Sequence, residues 1–173
     1  RNTQLVLYRI SGRSPLTAIV GKLLPQTLVF WLIAVLYAVC FYRYLQFPCN
    51  SGILPMVLVG MLTVLAAQGL AVFLFGVCGQ MRLSMCLCSL WGILSFSLAG
   101  FTFPVTAMDG ILQKLSVVFP LRHYYLLYVN QALNGDSIIY AWQSLLAMGV
   151  FASLPLLTLR HYHSLFLNHK YVP

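Results

Sequence analysis

Four histidines, five cysteines and two aspartates are the side chains of this sequence best suited to metal binding, nucleophilic attack or proton transfer. Their spacing assembles none of these chemistries. Cys40, Cys49, Cys78, Cys86 and Cys88 include no CxxC pair, the spacing shared by many metal and thiol–disulfide sites. Cys86 and Cys88 stand two apart, which turns them to different sides of a helix, and they read as small residues of membrane helices. His161 and His163 lie beside Arg160, and His169 adjoins Lys170, so they read as a basic tail rather than a metal site. Asp109 and Asp136 are far apart and flank loops, and no Ser/His/Asp order or nucleophile elbow accompanies them. His123, Asn130, Asn134 and Asp136 remain as the polar groups that could converge on a membrane-embedded, lipid-modifying centre. No GxxxxGK[ST] phosphate loop is present, so ATP has no usual place to bind. The sequence thus predicts no catalytic residue, no cofactor and no metal.

The elements that carry these residues are set by composition. The chain has 173 residues, 61% hydrophobic and 7% charged, whereas a soluble domain carries about 25% charged residues. Such a chain cannot cover a water-facing surface, and a bilayer is the solvent that tolerates it. The net charge of +8 comes from basic residues scattered singly between apolar runs. That pattern fits the positive-inside bias of membrane proteins better than the clustered basic face of a nucleic-acid binder. Because the chain begins at Arg1 with no Met and no signal peptide, it reads as a cut inside a longer protein.

An all-α polytopic membrane protein follows. Four stretches meet the length of a spanning helix, about 20 mostly apolar residues: 19–42, 54–76, 83–103 and 138–160. The interval 104–137 is apolar but interrupted. In it, Ile111, Leu112, Leu115, Val118 and Phe119 alternate at helical spacing with Gln113, Lys114 and Ser116, an amphipathic helix with Asp109 at the N-cap position and Pro120 ending or kinking it. A second helix, Tyr124 to Leu133, stops at Asn134-Gly135. Together they form a re-entrant or interfacial hairpin.

Charge gives the orientation. With the N-terminus in the cytosol, Arg1, Arg9, Arg13, Lys22, Arg82, Arg160 and Lys170 are cytosolic, while Arg43, Lys114 and Arg122 lie outside with both aspartates. The hairpin is therefore external, 1–18 is a cytosolic segment and 161–173 a cytosolic tail. Tyr42, Tyr44, Tyr140 and Trp142 fall at the outer interface. Small residues, Gly60, Ala67 and Ala71 in the second span and Ser84, Cys88, Gly92, Ser95 and Ala99 in the third, suggest close helix packing. Gln68 suits a bond to a neighbouring helix. No ionisable residue lies mid-span, which argues against a proton or sodium relay and for a transporter driven from outside the spans.

Several motifs then carry a resemblance. Gly21-Lys22-Leu23-Leu24-Pro25 opens the first span. Phe47-Pro48 and Ser51-Gly52 mark the next loop, and Gly76 to Arg82 a tight turn. The third span ends in Leu98-Ala99-Gly100-Phe101-Thr102-Phe103-Pro104, followed by Met108, Phe119-Pro120-Leu121 and Leu133-Asn134-Gly135. Over nearly its whole length the chain resembles the C-terminal part of ABC-2 type permeases, the membrane subunits of ABC exporters of drugs, lipids and polysaccharides.

The resemblance implies a first span, an external domain and part of a second span ahead of residue 1. It also implies a separate ABC ATPase subunit, a second permease subunit as homodimer or heterodimer, a periplasmic adaptor, contact with membrane lipid, and residence in the cell (inner) membrane. Under it, Tyr8, Arg9, Gly12 and Arg13 become the ATPase-coupling contact, and Gly100, Phe101, Phe103, Pro104, Met108 and Pro120 the external gate. A membrane-embedded lipid-modifying enzyme and a passive channel or assembly protein are the alternatives.

Overall fold

The computed structural model describes residues 15–136 and 138–158. All regular structure among them is helical, and four helices are long and apolar enough to cross a membrane, at Ile19–Tyr44, Ile53–Cys78, Met81–Leu98 and Ile139–Thr158.

The first helix, α1 (Pro15–Val39), continues without a break into a π-turn at Cys40–Tyr44. Pro25 inside α1 removes one backbone donor, a defect that membrane helices tolerate. The loop at residues 45–52 leads into α2 (Ile53–Cys78). Gly79 in the left-handed conformation (φ 66°) closes α2 and takes its C-cap bond from its own N–H to the Phe75 carbonyl, as glycine is suited to do. Two residues later α3 (Met81–Leu98) runs back. It stops five residues short of Phe103, because Gly100 adopts φ +103°, outside the helical range.

The interrupted interval folds as a 3-10 turn, Val105–Ala107, then α4 (Gly110–Ser116), α5 (Pro120–Tyr128) and a π-helical end, Val129–Asn134. Pro120 does not end or kink the first helix. It opens the second one at its first turn, where its missing N–H is unneeded and its fixed φ is already helical, so the helix starts four residues before Tyr124. Asp109 takes the N-cap place of α4 through its backbone: Gln113 N–H bonds its carbonyl oxygen at 3.0 Å, and no side-chain cap forms. Gly135, at φ 70°, terminates the π-helical segment. A 3-10 turn, Ile138–Ala141, leads into α6 (Trp142–Ser153), and one further helical turn reaches Thr158.

Helix α2 is the centre of the bundle. It packs on α1, α3, α5 and α6, most extensively on α6. Val59 and Ala66 of α2, Leu127 of α5 and Ala141 and Met148 around α6 form the fully buried core. In lipid this core is held by close van der Waals packing, since tails are as apolar as leucine. Gly69 makes the closest helix approach: a Cβ there would strike the Phe151 carbonyl oxygen and come within 2.9 Å of Ala152 Cα.

Candidate functional site

The paired helices α4 and α5 dip between the spans. Phe119, the residue before α5, packs on Trp91 with ring centroids 5.1 Å apart. Trp91 lies about 10 Å of helical rise before the end of α3, so the hairpin tip is re-entrant rather than laid across the end of the bundle. From that tip α5 climbs along α2 and α6, and its π-helical end meets the α1–α2 loop. There the Asn50 backbone N–H bonds the Ala132 carbonyl at 3.1 Å, and Asn50 Nδ2 donates to the Leu133 carbonyl at 2.7 Å.

Buried backbone at this depth needs partners, and the structure supplies them. Gln113 Nε2 donates to the Met108 carbonyl at 3.0 Å, and Ser116 Oγ to the Gln113 carbonyl at 2.7 Å. His123, buried, has Nε2 2.9 Å from the Val117 carbonyl. Gln131 Nε2 donates to the Asp136 carbonyl, and the Asp136 N–H to the Asn130 carbonyl. The polarity of α4 is inverted relative to a soluble helix. Ser116 is buried, while Ile111 is 82% exposed and Leu115 and Val118 are also exposed, a face made for lipid or another protein.

The sequence-proposed gate residues divide into two groups. Gly100 and Phe101 are held by α5: Arg122 donates from its guanidinium to the Ala99 carbonyl at 3.1 Å, and Tyr125 meets Phe101 edge-on with centroids 4.7 Å apart. Arg122 thereby places a cation at the C-terminal, negative end of α3. Burial lowers its pKa while the neighbouring Tyr125 opposes that. Phe103, Pro104 and Met108 sit on the connecting loop, Phe103 exposed, whereas Pro120 is buried at the tip. Tyr8, Arg9, Gly12 and Arg13 lie outside the described residues. His123 and Asp136 do not converge: Asp136 folds back to the level of Asn130, about 10 Å of helical rise from His123.

Arg122 and Trp91 were invisible as site residues in the sequence. Arg122 read as one external charge and Trp91 as one apolar residue of a span. An arginine among aromatic residues, just after a proline that opens a helix, was the available signal for the first.

Two clefts adjoin α2, and the smaller of them also borders the hairpin. The larger, about 600 Å³, separates α1 from α6, with Gln68 of α2 between them. Thr27 of α1 lies 2.8 Å from both the Leu23 carbonyl and Gln68 Oε1. A hydroxyl has one proton, so the arrangement fits best with the Gln68 amide turned over to donate to Thr27. Gln68 thus ties α2 to α1, the role its position in the second span suggests. The smaller cleft, about 240 Å³, lies between α2 and α3 under Pro120 and Leu121. Its walls include Ala67 and Ala71 of α2 and Cys88, Gly92 and Ser95 of α3. Those small residues were expected to bring the helices together. Beside the cleft a Cβ on Gly92 would meet nothing within 4 Å, while Ser84, Ser95 and Ala99 of the same stripe are buried and α3 packs on α2.

The family described as ABC-2 family transporter protein matches this chain over residues 1–159. No curated protein and no solved structure matches it.

Proposed function

Because the chain belongs to the ABC-2 family of transporter proteins, we propose that this permease subunit exports an amphiphilic substrate, a drug-, lipid- or polysaccharide-like molecule, driven by a separate ABC ATPase. The observation that carries the reading is the family match over 159 residues on a chain with no phosphate loop of its own. The family's usual dependence on an ABC ATPase supports a separate energy source. The segment 1–18 precedes the first span, and Tyr8, Arg9, Gly12 and Arg13 in it are the proposed contact with that ATPase. The positive-inside charge bias supports a cytosolic side for this segment and the α2–α3 turn and an external side for the hairpin.

Among the described residues there are four candidate spans and one hairpin, a half-bundle that suits pairing with a second subunit. Two permease subunits, identical or related, therefore face each other. The exposed apolar face of α4 and the gate residues Phe101, Phe103, Pro104, Met108 and Pro120 lie where they can line or seal the outer side. A periplasmic adaptor would meet this face, and lipid covers the remaining apolar surface.

The test is transport itself. The subunit and its ATPase, reconstituted in vesicles, should move a fluorescent amphiphile only when ATP is present on the ATPase side. ATP-independent leakage of equal rate would support the passive channel instead.

A further inference from the structure

We propose that Arg122 and the aromatic rings beside it bind the headgroup of an anionic phospholipid at the end of α3. The site stands apart from the transport reading, since it needs the membrane alone.

Arg122 is singled out by its surroundings. Lys22, Arg43, Arg82 and Lys114 are exposed, and among the described basic residues only Arg122 is half-buried. Arginine keeps its charge throughout the physiological pH range, and a charge drawn out of water calls for an opposite one. No carboxylate among the described residues supplies it. The protein contacts of Arg122 are the Ala99 carbonyl, 3.1 Å from Nη1, and the Tyr125 ring, whose centroid is 6.0 Å from the guanidinium carbon. Nε and Nη2 have no acceptor among the described residues yet remain open to the surface. A guanidinium presents its donors as a planar fork, which two oxygens of a phosphodiester match.

The backbone is shaped to hold that fork. Gly100 has φ +103°, and a Cβ there would come within 3.0 Å of Arg122 Nη1 and 3.2 Å of Tyr125 Cε1. Glycine thus leaves Arg122 room to reach the Ala99 carbonyl.

Depth and surface favour lipid as the occupant. Ala99 caps the third span, the level at which the hydrocarbon core gives way to headgroups. From Arg122 the rings continue as one surface. Tyr125 meets Phe101 edge-on with centroids 4.7 Å apart, and Phe101 stacks on Phe96 at 6.0 Å. Phe101 is 45% and Phe96 54% exposed, and Phe96 lies about 4.5 Å of helical rise deeper along α3 than Ala99. A phosphate on Arg122 therefore has an apolar path beside it for its acyl chain.

The test mixes the full chain, in nonionic detergent, with equal amounts of phosphatidylglycerol and phosphatidylcholine. Mass spectrometry of the intact complex counts the lipid retained. Phosphatidylglycerol should be held about fivefold better, the size expected for one basic group at an anionic lipid surface, because the choline ammonium offsets the phosphate charge of the other lipid. Arg122→Gln should abolish the preference and Arg122→Lys retain it, while Arg43→Gln and Lys114→Gln leave it unchanged. Equal binding of both lipids, or an equal loss in Lys114→Gln, would overturn the proposal, since diffuse surface charge would then explain the binding. Displacement by equimolar sn-glycerol 3-phosphate would overturn the lipid assignment and leave a free phosphoester as the ligand. Arg122→Gln also loosens the hairpin, so the unaltered chain supplies a second measurement. In nanodiscs, replacing phosphatidylcholine by phosphatidylglycerol should slow amide exchange selectively at residues 99–103 and 121–126. Slowing that follows protein concentration instead of lipid composition would assign Arg122 to a second subunit and overturn the proposal as well.

Discussion

Asn50 closes over Gly135. A Cβ added to Gly135 would lie 2.8 Å from Asn50 Cβ, and Gly135 holds φ 70°, so this contact admits only glycine. It joins the loop after the first span to the end of the hairpin, residues far apart in sequence, at the face opposite the α2–α3 turn. Gly135→Ala should destabilise the fold by about 1–2 kcal/mol from the left-handed conformation alone, and by more from the clash. Thermal unfolding in detergent measures it. Asn50→Gly in the same chain removes the clashing Cβ and should recover part of the loss, a non-additive pair. A strictly additive result would show that the two residues do not meet.

Two glycines in neighbouring spans should respond oppositely to the same change. Gly69 faces the Phe151 carbonyl, whereas Gly92 faces open space. Gly69→Ala overpacks the α2–α6 contact and should cost about 1–3 kcal/mol. Gly92→Ala should be neutral or stabilising, since alanine is also the better helix former by about 1 kcal/mol. Melting temperatures of the two variants in one detergent make the comparison.

Cys49 reports both topology and electrostatics. It lies in the loop at the hairpin end, and burial raises the pKa of its thiol. The thiolate is the reactive form, so at neutral pH less of it is present than in a free cysteine, and alkylation should be slow. The rate should climb as pH rises beyond the ordinary thiol range. In intact cells an impermeant maleimide should label Cys49 at alkaline pH but not a cysteine placed at Gln80 in the α2–α3 turn. Labelling of the Gln80→Cys thiol from outside would invert the proposed orientation.

The four spans and the broken interval could be read from the sequence because length and apolarity decide membrane insertion before tertiary packing matters. Gln68 was legible for a related reason: an amide in mid-span must find a partner, and it finds Thr27. The role of Pro120 was not, since a proline between two helical patterns ends one or opens the next according to where the first stops, and α4 stops at Ser116. The small-residue stripes were legible in part: Ser84, Ser95 and Ala99 are buried and Gly60 lies against Ala34, whereas Ala67, Ala71, Cys88 and Gly92 border a cleft. Small side chains permit close approach, but whether the helices use it depends on what else separates them. Here Phe119 packs on Trp91 at the tip, and part of the stripe borders the cleft beside Pro120 and Leu121.

Arg122 anchors the hairpin to α3 through the Ala99 carbonyl. Its pKa is lowered by burial, yet arginine is protonated throughout the physiological range, so the contact should not vary with pH between 5 and 9. Arg122→Gln should cost about 1.5–3 kcal/mol, the range for hydrogen bonds to charged groups. Faster amide exchange confined to residues 99–120, with the α2–α6 core still protected, is the expected signature. Uniform loss of protection would mean that Arg122 supports the whole bundle.

The central claim is that this subunit is driven by a separate ATPase through its segment 1–18. The most direct measurement is ATP hydrolysis by that ATPase, reconstituted with the full-length subunit, compared with the Arg9→Glu/Arg13→Glu variant. Breaking a hydrogen-bonded charge contact at an interface typically costs about 2–5 kcal/mol, enough to separate the partners. The account predicts that the variant inserts normally but no longer alters hydrolysis or supports ATP-driven export. Unchanged coupling and export at equal membrane abundance would contradict it.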